Sequence, residues 1–326
     1  MKTGSGRRIL LSLIVLHFAP FAPGQFAFAE EKAETGRAGF WVDLYFGEPI
    51  TYDEMLDDLA AARVIYLGER HWLKRHHDIQ MKIVADLAKR GVPLVLGLEQ
   101  LESYQQPVLD RYNRGEIDFD KLAELTNWEK RWRGYEGYRP IVETAHKAGA
   151  PVVALNARSE TIRKIARGGG IDKLDAETRK ELPKEIQTDD LLYEKLLNLY
   201  MPVHAAATPD RLRPMLEAQI ARDEAMAEAL CKFLNSQNGK GRTAVVLCGS
   251  GHVNYGLGTA ARVRRRIPNV KDRVILLSES GDVVLTPAER AMSREIHITH
   301  DQLRAINRPV ADYLHATELK VRDRKE

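Results

Sequence analysis

The chain has 326 residues, of which 49 are basic, 46 acidic and two cysteine. Lys2, Arg7 and Arg8 fall in the first 29 residues, which hold no acidic residue, so residues 30–326 carry 46 charges of each sign. That neutral balance disfavours nucleic-acid binding, two cysteines are too few for a disulfide scaffold, and the length allows one large domain, with or without an insert.

At the N-terminus the basic trio precedes the apolar run ILLSLIVLH, too short to span a bilayer. Ala27-Phe28-Ala29 follows as a small-residue cleavage pattern. Residues 1–29 are therefore expected to be a signal peptide. The remainder is expected to be exported to the periplasm or cell envelope, and soluble. No later stretch has the length and apolarity of a membrane anchor, and no lipid-attachment cysteine stands at the cleavage point.

Four continuous apolar runs read as strands buried on both faces: Val64–Glu69, Pro93–Glu99, Pro151–Asn156 and Ala244–Gly249. A fifth run, VILLSE, leads through Ser280-Gly281-Asp282 into DVVL, the pattern of an edge hairpin. Between the first two runs Ile79, Ile83 and Leu87 recur at helical spacing, with Gly91 as the stop. Another helix is expected from about Tyr138 to Lys147. Strand–helix–strand alternation predicts a largely parallel sheet flanked by helices, an α/β fold. The interval from about 158 to 241 breaks that rhythm and reads as a helical lobe inserted after the third strand and covering the sheet's edge. The charged last 30 residues read as a terminal helix with a frayed end.

The chemistry collects at the strand ends. The first strand runs into Gly68-Glu69-Arg70-His71 and the fourth into Gly249-Ser250-Gly251-His252, while the second ends at Glu99 and the third at Asn156. In an open parallel sheet these ends share one edge, where ligands bind. Imidazoles with carboxylates suit a divalent metal such as Mn, Zn or Fe, or a general acid/base pair. His76 and His77 open the next helix, where either one can reach the crevice or cap the helix. Trp128, Trp132, Tyr135 and Tyr138 offer an aromatic wall near arginines, a surface suited to haem or to ordinary packing. On the helix spanning Leu216–Leu234, Gln219, Arg222, Asp223 and Met226 share one edge. Asp223 there either completes a structural network or orients a site histidine.

These residues, in this order, resemble the ChaN-like haem-binding family of the Tiki superfamily. The motifs are GERHWLKRHHDIQ, LGLEQLESYQQPVLDRY, W-x3-W-x5-Y-x-P, ALN, Q-x2-RD-x2-MA and GSGHVNYG. The resemblance runs from about Gly39 to Ser280 and is poorest around 170–210. It implies a single α/β domain over residues 30–326, akin in fold to erythromycin esterases, that binds haem or iron for uptake, with haem sometimes shared across a homodimer. The Tiki-type relatives imply the alternative, a metal-dependent hydrolase (protease or esterase). In that reading His71, His252, Glu69 and Glu99 hold a divalent metal and carry the catalysis, with Glu69 or Glu99 taking the proton. For the haem reading His76, His77, Trp132, Tyr138, Asn156, Arg222 and Asp223 are the candidate cofactor-binding residues.

Overall fold

The structure, a computed structural model, describes residues 39–204, 209–278, 299–303 and 306–317. The expected signal peptide and the DVVL hairpin lie outside these residues.

Among the described residues eight strands form one sheet: β1 (Gly39–Asp43), β2 (Glu48–Ile50), β3 (Val64–Glu69), β4 (Leu94–Glu102), β5 (Val152–Asn156), β6 (Thr243–Gly249), β7 (Asp272–Leu277) and β8 (Tyr313–Thr317). Their order is β2-β1-β8-β7-β3-β6-β4-β5. Every neighbouring pair from β8 to β5 is parallel, and β1 pairs antiparallel with both β2 and β8. The chain steps outward from β3 to β4 and β5, then returns to lay β6 between β3 and β4. From there it continues to β7 and β8 on the other side of β3. This reversal opens the crevice at the carboxyl ends of β3, β6 and β4.

Two helical layers sandwich the sheet, and strand parity assigns each side chain to one of them. Ile65, Leu67, Leu96, Leu98, Val245 and Leu247 face α1 (Tyr52–Ala60), α2 (Lys74–Lys89), α3 (Gln106–Asn113), α4 (Phe119–Thr126), α5 (Trp128–Arg131) and α6 (Arg139–Lys147). Val64, Tyr66, Val95, Val153, Val246 and Cys248 face the other layer. Among the described residues four helices lie between β5 and β6: α7 (Ser159–Gly168), α8 (Ala176–Arg179), α9 (Leu191–His204) and α10 (Pro209–Leu234); α11 (Gly258–Arg266) follows β6.

Two expectations change. The interval after β5 is not only a lobe at the sheet's edge, because the last three turns of α10 bury Met226, Ala227, Leu230, Cys231 and Leu234 against the sheet's second face. Leaving that face bare would expose a continuous apolar surface, so the inserted segment also serves as the crossover layer. The remaining lobe has its own small cores, one of which joins Ile162 and Ile165 to Ala218 and Ala221. Near the C-terminus, Tyr313–Thr317 is strand β8 rather than helix, held parallel by β7 and antiparallel by β1. Its partners are distant in sequence, so local periodicity carries no sign of it.

Candidate functional site

The first Gly-x-x-His turn is built around Glu69. Its parity places the carboxylate on the α2–α6 side of the sheet, almost fully buried at 1% exposure. Oε1 accepts from Tyr138 OH at 2.5 Å, His71 Nδ1 at 2.8 Å and Gln100 Nε2 at 3.0 Å, and Oε2 accepts from Gln80 Nε2 at 2.8 Å. His77 Nε2 stands 3.5 Å from Oε2, its ring tilted against Tyr138. A buried carboxylate persists only when its oxygens are satisfied in this way.

The second turn is built around His252, on the opposite side of the sheet. His252 Nδ1 lies 2.7 Å from Asp223 Oδ1 and Nε2 lies 3.2 Å from Glu99 Oε1. Asp223, on α10, also accepts from Thr259 at 2.8 Å and Tyr193 at 2.6 Å. Glu99 Oε2 takes the Gly249 N–H at 2.7 Å. Gln219, one turn before Asp223 on α10, lies against the His252 ring at 3.0 Å.

His71 joins the two halves over the sheet's edge. With Nδ1 on Glu69, its Nε2 is 4.0 Å from Glu99 Oε2, and 27% of the side chain is exposed. The ring fits because residue 249 is glycine: a Cβ there would stand 2.9 Å from Nε2. Trp132 meets the ring edge-on, with centroids 4.8 Å apart. The result is one file of alternating carboxylates and imidazoles, Glu69–His71–Glu99–His252–Asp223.

The charges in this file follow from position. Burial opposes a charge on His252, but Glu99 and Asp223 outweigh it and push its pKa up to about 10. His71 is raised by the same competition, burial opposing and Glu99 and Glu69 prevailing. Burial would raise Glu99, yet His252 and His71 hold it well below the usual carboxylate range. Burial drives Tyr138 well above 10, so its hydroxyl stays a donor to Glu69.

The other expected residues divide. His76 is buried, and its Nδ1 accepts the Arg70 N–H at 3.0 Å, which pins the first turn. Burial and the Arg75 charge lower its pKa to about 3, keeping it neutral. His77 and Tyr138 reach Glu69, whereas Trp128 packs among Phe119, Tyr135 and Tyr138. Asn156 Nδ2 donates to the Glu99 carbonyl at 2.8 Å and so braces β4. Arg222 is half-buried and lends positive charge to Glu99 without touching it. Gln80, Gln100, Tyr193 and Thr259 were not anticipated. Gln80 had a usable signal, lying four residues after His76 and three after His77 on one helix face.

The metal set expected from His71, His252, Glu69 and Glu99 is not assembled. Among the described residues no three His, Cys, Asp or Glu side chains form a group that could hold a metal ion. The reason is parity. Glu69 and Glu99 lie on opposite sides of the sheet, and their oxygens already accept from the side chains and backbone around them.

A family profile described as haem-binding uptake, Tiki superfamily, ChaN matches residues 55–263. No curated protein matches the sequence. Among solved structures, one titled cofacial heme binding to ChaN of Campylobacter jejuni is similar with a TM-score of 0.64 at 20% identity, covering 87% of this chain and 98% of that one. An erythromycin esterase, the EreC mutant in its open conformation, is similar with a TM-score of 0.42 at 12% identity, covering 73% and 76%. The profile spans well over half of the chain, including both Gly-x-x-His turns and the Asp223 helix, and on that match the protein belongs to the ChaN family of haem-binding uptake proteins in the Tiki superfamily.

Proposed function

We propose that the protein binds haem at the crevice over β3, β6 and β4 and handles it in the cell envelope as part of iron uptake. The observation that carries this reading is the match to the haem-binding family across residues 55–263. The residues present suit such a ligand. His71 offers a half-buried imidazole, Trp132 lies edge-on beside it, and Arg222 supplies a cation. Bound haem would bring the iron that makes the protein a carrier. The chain's own part is to shield one face and position the polar arms. Export through residues 1–29 and a homodimer sharing haem belong to the same proposal. Hemin titration of residues 30–326, followed by absorbance, is expected to saturate near one haem per chain or per dimer. A Soret band that never saturates would sink the reading.

One arrangement favours a second reading, hydrolysis without a metal. His71 is braced by a buried carboxylate on Nδ1, the geometry of an oriented general base. Its pKa is raised, so base catalysis would increase with pH above the ordinary histidine value. An ester panel in the presence of chelator tests this: hydrolysis lost in His71→Ala supports it, and hydrolysis surviving that change removes it.

A further inference from the structure

Arg222 is a cation at the crevice with one buried donor unaccounted for. It stands one turn before Met226 on α10, and Met226 is fully buried in the core on the sheet's second face that also holds Val153 and Leu155 of β5. That step back along the helix brings Arg222 to the carboxyl edge of the sheet, between Gln219 and Asp223, both of which touch His252. Its Nε–H is shut off from solvent and finds no acceptor, and among the described residues no carboxylate pairs with the guanidinium.

The carboxylates around it explain why. Asp223, its neighbour in sequence, is taken by His252, Thr259 and Tyr193. Glu224, the next residue, is buried and shared by Arg265 and Arg266. Glu99 feels the charge of Arg222, but its two oxygens face the Gly249 N–H and His252. A guanidinium presents five N–H groups in a planar fork that matches a carboxylate, and burying its Nε–H without an acceptor is costly.

We propose that Arg222 is the anchor for an anionic ligand group, a carboxylate, entering the crevice. The ligand's identity rests on the haem reading, under which this group is a propionate. The anion site itself does not depend on that reading.

Hemin and its dimethyl ester, which lacks free carboxylates, are titrated into wild type and Arg222→Gln. Wild type is expected to bind the ester about tenfold or more weakly than hemin, and R222Q to lose about that factor for hemin while no longer distinguishing the two. Equal wild-type affinities for both porphyrins, or R222Q binding hemin as wild type does, would overturn the anchor and leave haem binding standing. The ester comparison needs no variant, so it decides even if R222Q fails to fold. If neither porphyrin binds, the haem reading falls and succinate titration of 15N-labelled protein decides the anchor. A saturable shift of the Arg222 Nε–H resonance, absent with chloride at matched ionic strength, upholds it. No such shift refutes it.

Discussion

Gly249 shows how much of the site depends on one missing carbon. Its backbone, at φ −57°, is open to any residue, so the need for glycine comes from its neighbour and not from strain. The His71 ring occupies the space a Cβ would fill. Gly249→Ala is therefore expected to cost only about 1–3 kcal/mol in stability, the usual range for overpacking. It should nevertheless break the His71–Glu69 contact, and the His71 ring resonances report this directly in NMR. Unchanged resonances would show that the ring has room to spare. His252 presents the opposite case. Removing its imidazole in His252→Asn leaves Glu99 and Asp223 buried without their shared cation, and about 3–5 kcal/mol should be lost in urea unfolding. Both histidines were legible in the sequence, since a glycine three residues before each, after an apolar run, marked them. Their connection through opposite sides of the sheet was not legible, because it depends on how β6 inserts between β3 and β4.

At the scale of elements, α10 does two jobs along its length. Its first half packs Ala218 and Ala221 against α7, and its second half buries Leu230 and Leu234 against the sheet. Leu230→Ala should cost about 2–5 kcal/mol, as a fully buried leucine facing a rigid sheet. Leu191, on α9 and 72% exposed, should tolerate the same change within about 0.5 kcal/mol. Equal losses at both positions in denaturant titration would contradict this division. The helical period of α10 could be read from its sequence. The face it covers could not, because period identifies the apolar stripe but not the surface that receives it.

For the whole molecule, the buried histidines set the dependence of stability on pH. His252 has a folded pKa of about 10 against an ordinary 6.5, so its contribution is complete below 6.5 and lost as pH rises through about 10. His76 works in reverse. Its folded value of about 3 lies below 6.5, so the neutral ring contributes fully above 6.5 and the contribution drains as pH falls toward 3. Glu99, held low, adds to the acid-side loss. Stability should therefore peak near neutrality, with the alkaline decline flattened in His252→Asn, as urea midpoints across pH 4–10 would show. A decline of equal slope in that variant would mean that other groups govern it.

Sequence alone determined the parallel α/β class, the four central strands and the residues at their ends, because continuous apolar runs followed by polar turns are local patterns. Tertiary structure alone decided three further things. β8 is a strand because β7 and β1 are there to pair with it. Glu69 and Glu99 stand on opposite sides of the sheet, which disperses the expected metal set into a file of ion pairs. The buried Nε–H of Arg222 meets no acceptor among the described residues, while Asp223 and Glu224, next to it in the chain, are held by other residues. Each of these turns on contacts between segments far apart in the chain, and periodicity within one segment carries no information about them.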